Sequence, residues 1–436
     1  MYEELTLPQL LKHLEQAFAS APDARHGPNT QYALTDAGVG AFAVFFTQSP
    51  SFLAHQRAMQ LDKRLSNAER LFGLHALPSD PQIRTLLDPL APATVQPIYR
   101  QVFHTLEHTG VLEGYRSFGG QWLIALDGTQ YFASKKIHCP QCSQRQLANG
   151  QTQYFHSVLT PVLVQPGRPQ VLALEPEFVG PQDGSAKQDC EIQAGKRWLA
   201  QHGAFYAQRG ATLLGDDLYC HQPFCQALRA LKLHFILVCK PDSHAQLYTT
   251  VAFLAAQGLL GQKVVRHWNG RYGEIHTYRY AEDLPLTGEP DTMHVNWCEV
   301  AITREDTGER LYHNAWATDF RPSATTVEAI VRDGRARWKV ENENNNVLKT
   351  KGYHLEHNFG HGQQQLAALL LSLNLLAFLF HTVLDLVDER YQAIRRTLGT
   401  RRTFFQDLET LLRYVPFADW NALWTFMFDG LDLNTS

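Results

Sequence analysis

The sequence predicts a mixed α/β protein in which a sheet-forming middle lies between two helical ends. Three observations carry that expectation. Apolar residues recur at helix spacing near the start (Leu7, Leu10, Leu11, Leu14, Phe18), and helical patterns return from about Thr325 to the end. Between residues 121 and 240, short apolar runs are bounded by Gly, Pro and Asp, as strands are. Further on, "VVRHWNGRYGEIHTYRY" (264–280) sets Asn-Gly between two alternating segments, which signals a hairpin. The 436 residues suffice for two or three domains, and 44% hydrophobic with 19% charged residues is ordinary for a globular chain.

In chain order, Thr6 and Pro8 mark the start of the first helix. The stretch "GVGAFAVFFTQSPSFLAHQRAMQ" (38–60) is a second helical region, broken near Pro50. Prolines at 78, 81, 89, 92 and 97 read as a linker. Strands are expected at "QWLIALDGTQYF" (121–132), "YFHSVLTPVLV" (154–164) and "QVLALEPEF" (170–178), followed by a helix over 187–208. A strand "ATLLGDD" (211–217), a helix from Pro223 to Lys232 and a strand "HFILVCK" (234–240) complete a β-β-β-α-β-α-β run, hence a mixed sheet with helices against it. Residues 244–324 read as a β-rich insertion. The layout is therefore a helical region 1–112, a core in two parts (113–243 and 325–388) around the insertion, and a helical tail 389–436.

Net charge is −4, so no overall basic field draws the chain to a polyanion, and such a partner must meet local patches. Lys135–Lys136, Lys196–Arg197, 332–339 and 390–402 are the candidates. Seven cysteines, an odd number, and a start without a secretory pattern point to a reduced, cytoplasmic setting. The run "LAALLLSLNLLAFLF" (366–380) is short for a bilayer and carries Ser372 and Asn374, so a buried core helix is expected and no membrane partner. No P-loop, G-x-S-x-G or dinucleotide fingerprint is present.

Chemistry concentrates on acids. Asp127 closes the first strand, and Asp216 or its neighbour Asp217 closes the fourth. Ligands gather outside the carboxyl ends of strands in open sheets, so these acids are placed to share a site. Converging carboxylates repel unless a cation offsets them, and hard oxygen donors favour Mg²⁺ or Mn²⁺. A third acid would complete a site for two ions roughly 3.5–4 Å apart. The segment "RWKVENENNNVLK" (337–349) offers one. If helical, it aligns Arg337, Glu341, Asn345 and Lys349 every fourth residue, a stripe suited to a phosphate backbone, with Val340 and Val347 anchoring a neighbouring face. A solvated, ion-paired helix face is the plainer alternative.

Together, "LDGTQYF", "LGDDLY", "RWKVENENNNVLK" and "GYHLEHNFGHG" resemble insertion-sequence DDE transposases with an RNase H-like catalytic core. More narrowly, they resemble the group with a β-rich insertion before the last catalytic acid. The resemblance covers about 115 to 385. It implies a metal-dependent enzyme that cuts transposon ends and joins the freed 3′-hydroxyl to a target, acting as a homodimer on double-stranded DNA. The N-terminal region would bind the DNA ends. The catalytic, metal-holding acids fall on Asp127, Asp216 and Glu341, with Asp217 and Glu343 as alternatives. Arg337, Trp338, Lys349, Tyr219, Asn345 and His357 fall where the resemblance implies DNA contact, Trp338 by stacking on an unpaired base. The family motif Y-x2-R-x3-E-x6-K finds Arg337 in place, but Gly334 stands at the tyrosine and Lys349 comes one residue late. Two rivals stand: a nuclease of the same core without strand transfer, and a DNA-binding protein whose acids are structural.

Two histidine-bearing segments remain. "HCPQC" offers His138, Cys139 and Cys142, half of a zinc site, with His156 a strand away. No second C-x2-C exists, so reduced thiols in a strand connection are expected and zinc is not. "YHLEHNFGHG", with His354, His357 and His361, reads as a loop near the acids.

Overall fold

A computed structural model describes residues 2–25, 30–59, 67–180 and 189–433. The N-terminal helices are α1 (Leu7–Ala19), α2 (Leu34–Phe46), α3 (Phe52–Met59), α4 (Asn67–Phe72), α5 (Asp80–Leu87) and α6 (Gln96–His108). In α1 the five apolar residues at helix spacing are all buried. The ring of Phe18 lies against Gly38 of α2, where a Cβ would come within 2.3 Å of it. The proline-rich segment is not a linker. Pro81 and Pro97 occupy the first turns of α5 and α6, where a missing N–H costs nothing, and Gln82 Oε1 accepts the Ser79 N–H at 3.0 Å to cap α5.

The strands begin with β1 (Trp122–Ala125), β2 (Gly128–Ser134), β3 (Ser143–Gln146), β4 (Thr152–Leu159), β5 (Val162–Val164), β6 (Leu172–Ala173) and β7 (Glu177–Val179). Three runs expected as single strands are each broken, at Leu126–Asp127, at Thr160–Pro161 and at residues 174–176. Pro161 has no N–H for a ladder, and the Thr160 N–H donates to the Asp127 carbonyl at 3.0 Å. One long hairpin therefore bends at Asp127. Its first part, β1 with β5, belongs to the main sheet, and its continuation, β2 with β4, forms a second sheet with β3 and β7.

The chain continues through α7 (Glu191–Trp198), a wide π-type turn (Leu199–Gly203), α8 (Ala204–Ala207), β8 (Ala211–Gly215), α9 (Gln222–Ala230) and β9 (His234–Val238). Residues 187 and 188 of the expected helix lie outside the described residues. Next come α10 (Ala245–Ala256), β10 (Gly261–Trp268), β11 (Gly273–Pro285), β12 (His294–Arg304) and β13 (Arg310–Thr318). The main sheet runs β6-β5-β1-β8-β9-β13-β12-β11-β10, with β1, β8 and β9 mutually parallel and every other pairing antiparallel. The segment 244–324 opens with a helix, α10, and its four strands extend the main sheet. Trp316, Ala317 and Thr318 of β13 pair with Val238, Leu237 and Ile236, closing an edge that β9 would otherwise expose.

The remaining helices are α11 (Val327–Arg335), α12 (Asn346–Thr350), α13 (Leu366–Val387), α14 (Glu389–Thr397), α15 (Arg401–Tyr414) and α16 (Trp420–Gly430). At 22 residues α13 is long and apolar enough to cross a bilayer, yet 89% of its most apolar window is buried inside the protein. Its polar interruptions are in use: Ser372 Oγ donates to the Ala368 carbonyl at 3.0 Å, and Asn374 Nδ2 to the Tyr353 carbonyl at 2.8 Å. The N-terminal and C-terminal helices share one core around α13. Asn67 Nδ2 donates to the Leu412 and Val415 carbonyls, and Phe46 packs against both His381 and Trp420.

Candidate active site

The site begins with strand register. Ala125 of β1 pairs with Leu214 of β8, and the Leu126 N–H donates to the Leu214 carbonyl at 2.9 Å. Two residues beyond that pair stand Asp127 and Asp216, at the carboxyl ends of neighbouring parallel strands. Of the aspartate pair, Asp217 is turned away. Its carboxylate accepts the Lys240 N–H at 2.7 Å and the Ser243 hydroxyl at 2.5 Å and lies 3.4 Å from His244 Nε2, holding the β9–α10 connection. Asp216 instead accepts the Leu218 N–H at 2.9 Å, and its charge acts on Asp127.

The asparagine-rich segment is helical because its apolar residues are buried and most of its amides find partners, within the segment and across the site. After α11, a wide π-type turn (Val340–Asn345) runs directly into α12. Val340, Val347 and Leu348 are buried, Asn344 Nδ2 donates to Asn345 Oδ1 at 3.0 Å, and Asn346 Nδ2 to Asn342 Oδ1 at 3.0 Å. This helix returns the stripe to the strand ends. Asn345 Nδ2 donates to Asp127 Oδ2 at 2.8 Å, while Thr160 Oγ1 donates to Asn345 Oδ1 at 2.9 Å. One turn earlier, Arg337 and Glu341 form an ion pair at 2.8 Å. The charge of Glu343 acts on Lys339 and is not among those acting on Asp127.

Asp127 is the electrostatic centre. Burial pushes its carboxyl up to about 7, with the charges of Glu191, Glu341 and Asp216 adding to the effect and Arg337 opposing it. Glu191, which opens α7, is a member of the site that the sequence reading passed over. Its carboxylate accepts the Gly128 N–H at 3.0 Å and the Tyr219 hydroxyl at 2.7 Å, and burial raises its pKa also. A Cβ at Gly128 would lie 2.2 Å from that carboxylate, which is why glycine follows Asp127. An acid in a helix's first turn is so common for dipole reasons that nothing marked this one.

Other expected positions fall differently. Tyr219 is buried with its hydroxyl on Glu191, and Asn345 is buried with its amide on Asp127 and Thr160, so neither is presented to DNA. Both position acids. Trp338 is open to solvent, 44% exposed, with the Lys339 ammonium 5.0 Å from its ring. It borders a cleft of about 450 Å³ lined also by His267, Tyr278, Arg332 and Arg335. Lys349 pairs with Glu356 at 3.0 Å, and His357 is exposed with its ring edge-on to Phe359. At Gly334, a Cβ would meet Ile236 and the Trp316 indole at 2.8 Å, so a tyrosine has no room there.

Among the described residues, the groups of metal-ligating side chains whose ligand atoms all lie within 4.8 Å are two, and both are cysteine–histidine clusters. The three acids are not drawn together to that spacing. One cluster joins Cys139, Cys142, His156 and His361, all buried, and the other Cys220, Cys239 and His244. His138 is not a member: it is exposed and stacked on Tyr154 at 4.5 Å. Zinc had been set aside for want of a second ligand pair; the fold supplies that pair from β4 and from the segment before α13. No family model matches the chain, and no curated protein matches it.

Proposed function

We propose that this chain is a DDE-type DNA transposase that cuts DNA at transposon ends and joins the freed 3′-hydroxyl to target DNA. The observation that carries the reading is that Asp127 and Asp216 follow neighbouring parallel strands while the helix bearing Glu341 is fastened to Asp127 by the Asn345 hydrogen bond. With the second sheet (β2, β3, β4, β7) and the short α8 set aside, the order β1, β5, β6, α7, β8, α9, β9 agrees with the β-β-β-α-β-α-β order of the RNase H-like core, and the strands 261–318 stand where a β-rich insertion would.

The acids suit Mg²⁺ or Mn²⁺. Four carboxylates (Asp127, Glu191, Asp216, Glu341) are offset by one guanidinium, Arg337, and burial, with the excess negative charge adding to it, holds a proton on Asp127 up to about neutrality. Asp127, Asp216 and Glu341 would hold the ions, which when bound supply Lewis-acid stabilisation of the attacking and leaving oxygens. The chain's own residues prepare that site. Asn345 sets the Asp127 carboxylate, Glu191 braces the backbone at Gly128, and Arg337 holds Glu341 on the same face. Arg337 and Lys349 would then contact phosphates, and exposed Trp338 an unpaired base.

Labelled DNA from either flank of the gene, with Mg²⁺ or Mn²⁺ and a target plasmid, tests the reading. Wild type should cleave and join; Asp127→Ala, Asp216→Ala and Glu341→Ala should each lose roughly a hundredfold or more of both activities. Asp217→Ala and Glu343→Ala should retain metal-dependent chemistry. Cleavage without joining of pre-cut ends would make the protein a nuclease of the same core. Metal-independent DNA binding with no cleavage would make the acids structural.

A further inference from the structure

We infer that Cys139, Cys142, His156 and His361 bind a structural zinc ion that pins the β2–β4 hairpin to the segment leading into α13. The inference is independent of the reading of the acids. A tetrahedral Zn²⁺, with Zn–S of about 2.3 Å and Zn–N of about 2.05 Å, sets its sulfurs about 3.8 Å apart and each sulfur about 3.5 Å from each nitrogen. The two Sγ atoms are 3.9 Å apart. His156 Nε2 lies 3.5 Å from Cys139 Sγ and 3.4 Å from Cys142 Sγ, and His361 Nε2 lies 3.5 Å from Cys142 Sγ. Four independent separations thus match one tetrahedron, with all four ligand residues buried. A disulfide, at about 2.05 Å, is not formed. Soft thiolates with imidazoles select zinc over the hard cations that suit the acids.

The ligands come from places that give the ion a task. Cys139 and Cys142 lie in the turn between β2 and β3, where the Cys142 N–H donates to the Cys139 carbonyl at 3.1 Å. His156 is on β4, the partner strand, and His361 is 219 residues beyond Cys142. The hairpin springs from Asp127 at one end, and the His361 segment follows the helix bearing Glu341. Binding releases two thiol protons as Zn²⁺ joins two thiolates and two neutral imidazoles, with no change of oxidation state. Zinc here ties together the two stretches of chain that carry the outer acids.

Metal analysis of the full chain, purified from zinc-supplemented medium and dialysed against EDTA, should find about one zinc per chain. Cys142→Ser and His361→Ala should lose it, whereas Cys220→Ser and Cys239→Ser, in the other cluster, should keep it. Should those variants fold poorly, the Co²⁺-substituted wild type decides: its visible spectrum should show tetrahedral cobalt with two thiolate ligands. Wild type without zinc and with all its thiols reactive, zinc that survives Cys142→Ser, zinc lost with Cys239→Ser, or a cobalt spectrum lacking thiolate bands would each overturn the inference.

Discussion

Asp127→Asn should make the protein more stable and inactive. In the folded chain the Asp127 carboxyl titrates at about 7, chiefly through burial and then through Glu191 and Glu341; unfolded, it titrates near 3.9. The folded state therefore holds a proton that the unfolded state has released. The stability this provides is complete below about pH 4 and is lost as the pH rises through 7. At about 1.4 kcal/mol per pH unit, ionising the folded group costs about 4 kcal/mol above pH 8, and solvent reaching this half-buried site reduces that to about 2 kcal/mol. Asparagine removes the cost and still offers an oxygen to the Asn345 amide. With an unfolding entropy of about 2.1 cal/mol/K per residue over 436 residues, the gain corresponds to roughly 2–4 °C in Tm. Thermal melts of both proteins in EDTA from pH 4.5 to 9 should show a difference near zero at the acid end, growing to a plateau above pH 8. Adding Mg²⁺ should raise the Tm of wild type and leave Asp127→Asn almost unmoved. A pH-independent difference, or a variant less stable than wild type at pH 8.5, would refute the reasoning.

Three further outcomes are expected. Asn345→Ala should cost about 1–3 kcal/mol in urea unfolding, because it leaves Asp127 without its amide and the Thr160 hydroxyl with only the Asp127 carbonyl, 3.2 Å away, as acceptor, and it should lower kcat more than DNA affinity. Glu191→Gln removes one of the charges that raise Asp127, so the acid limb of the pH profile for Mn²⁺ binding should move to lower pH; an unmoved limb would exclude Glu191 from the site. Trp338→Ala, at an exposed position, should change stability by no more than about 0.5 kcal/mol while weakening DNA binding in a gel-shift titration; a large stability loss would show a packing role instead.

Much of this molecule is written locally. The α1 stripe, the Asn-Gly hairpin, the short strands and the aspartates at their ends follow from side-chain period and turn chemistry, which act over a few residues. Where such rules failed, a non-local partner had intervened. Pro161 and Asp127 broke strands that composition alone would continue, because the hairpin bends there to leave the main sheet. The segment 244–324 reads as a β-rich insertion, but nothing local records that its strand β13 pairs with β9. Asparagine is a mediocre helix former, yet 337–349 is helical, and its Asn345 is held by Thr160 and Asp127 from the far side of the chain.

By itself, then, the sequence determined the mixed α/β class, most of the strands and helices, and the kinds of residue available for chemistry. The tertiary structure alone decided which aspartate of the 216–217 pair faces Asp127, that Glu191 stands beside them, and that His361 completes the ligand set begun by Cys139 and Cys142. The reason is that strand register and chain closure bring together side chains hundreds of residues apart, and no periodicity or turn signal encodes a separation of that length.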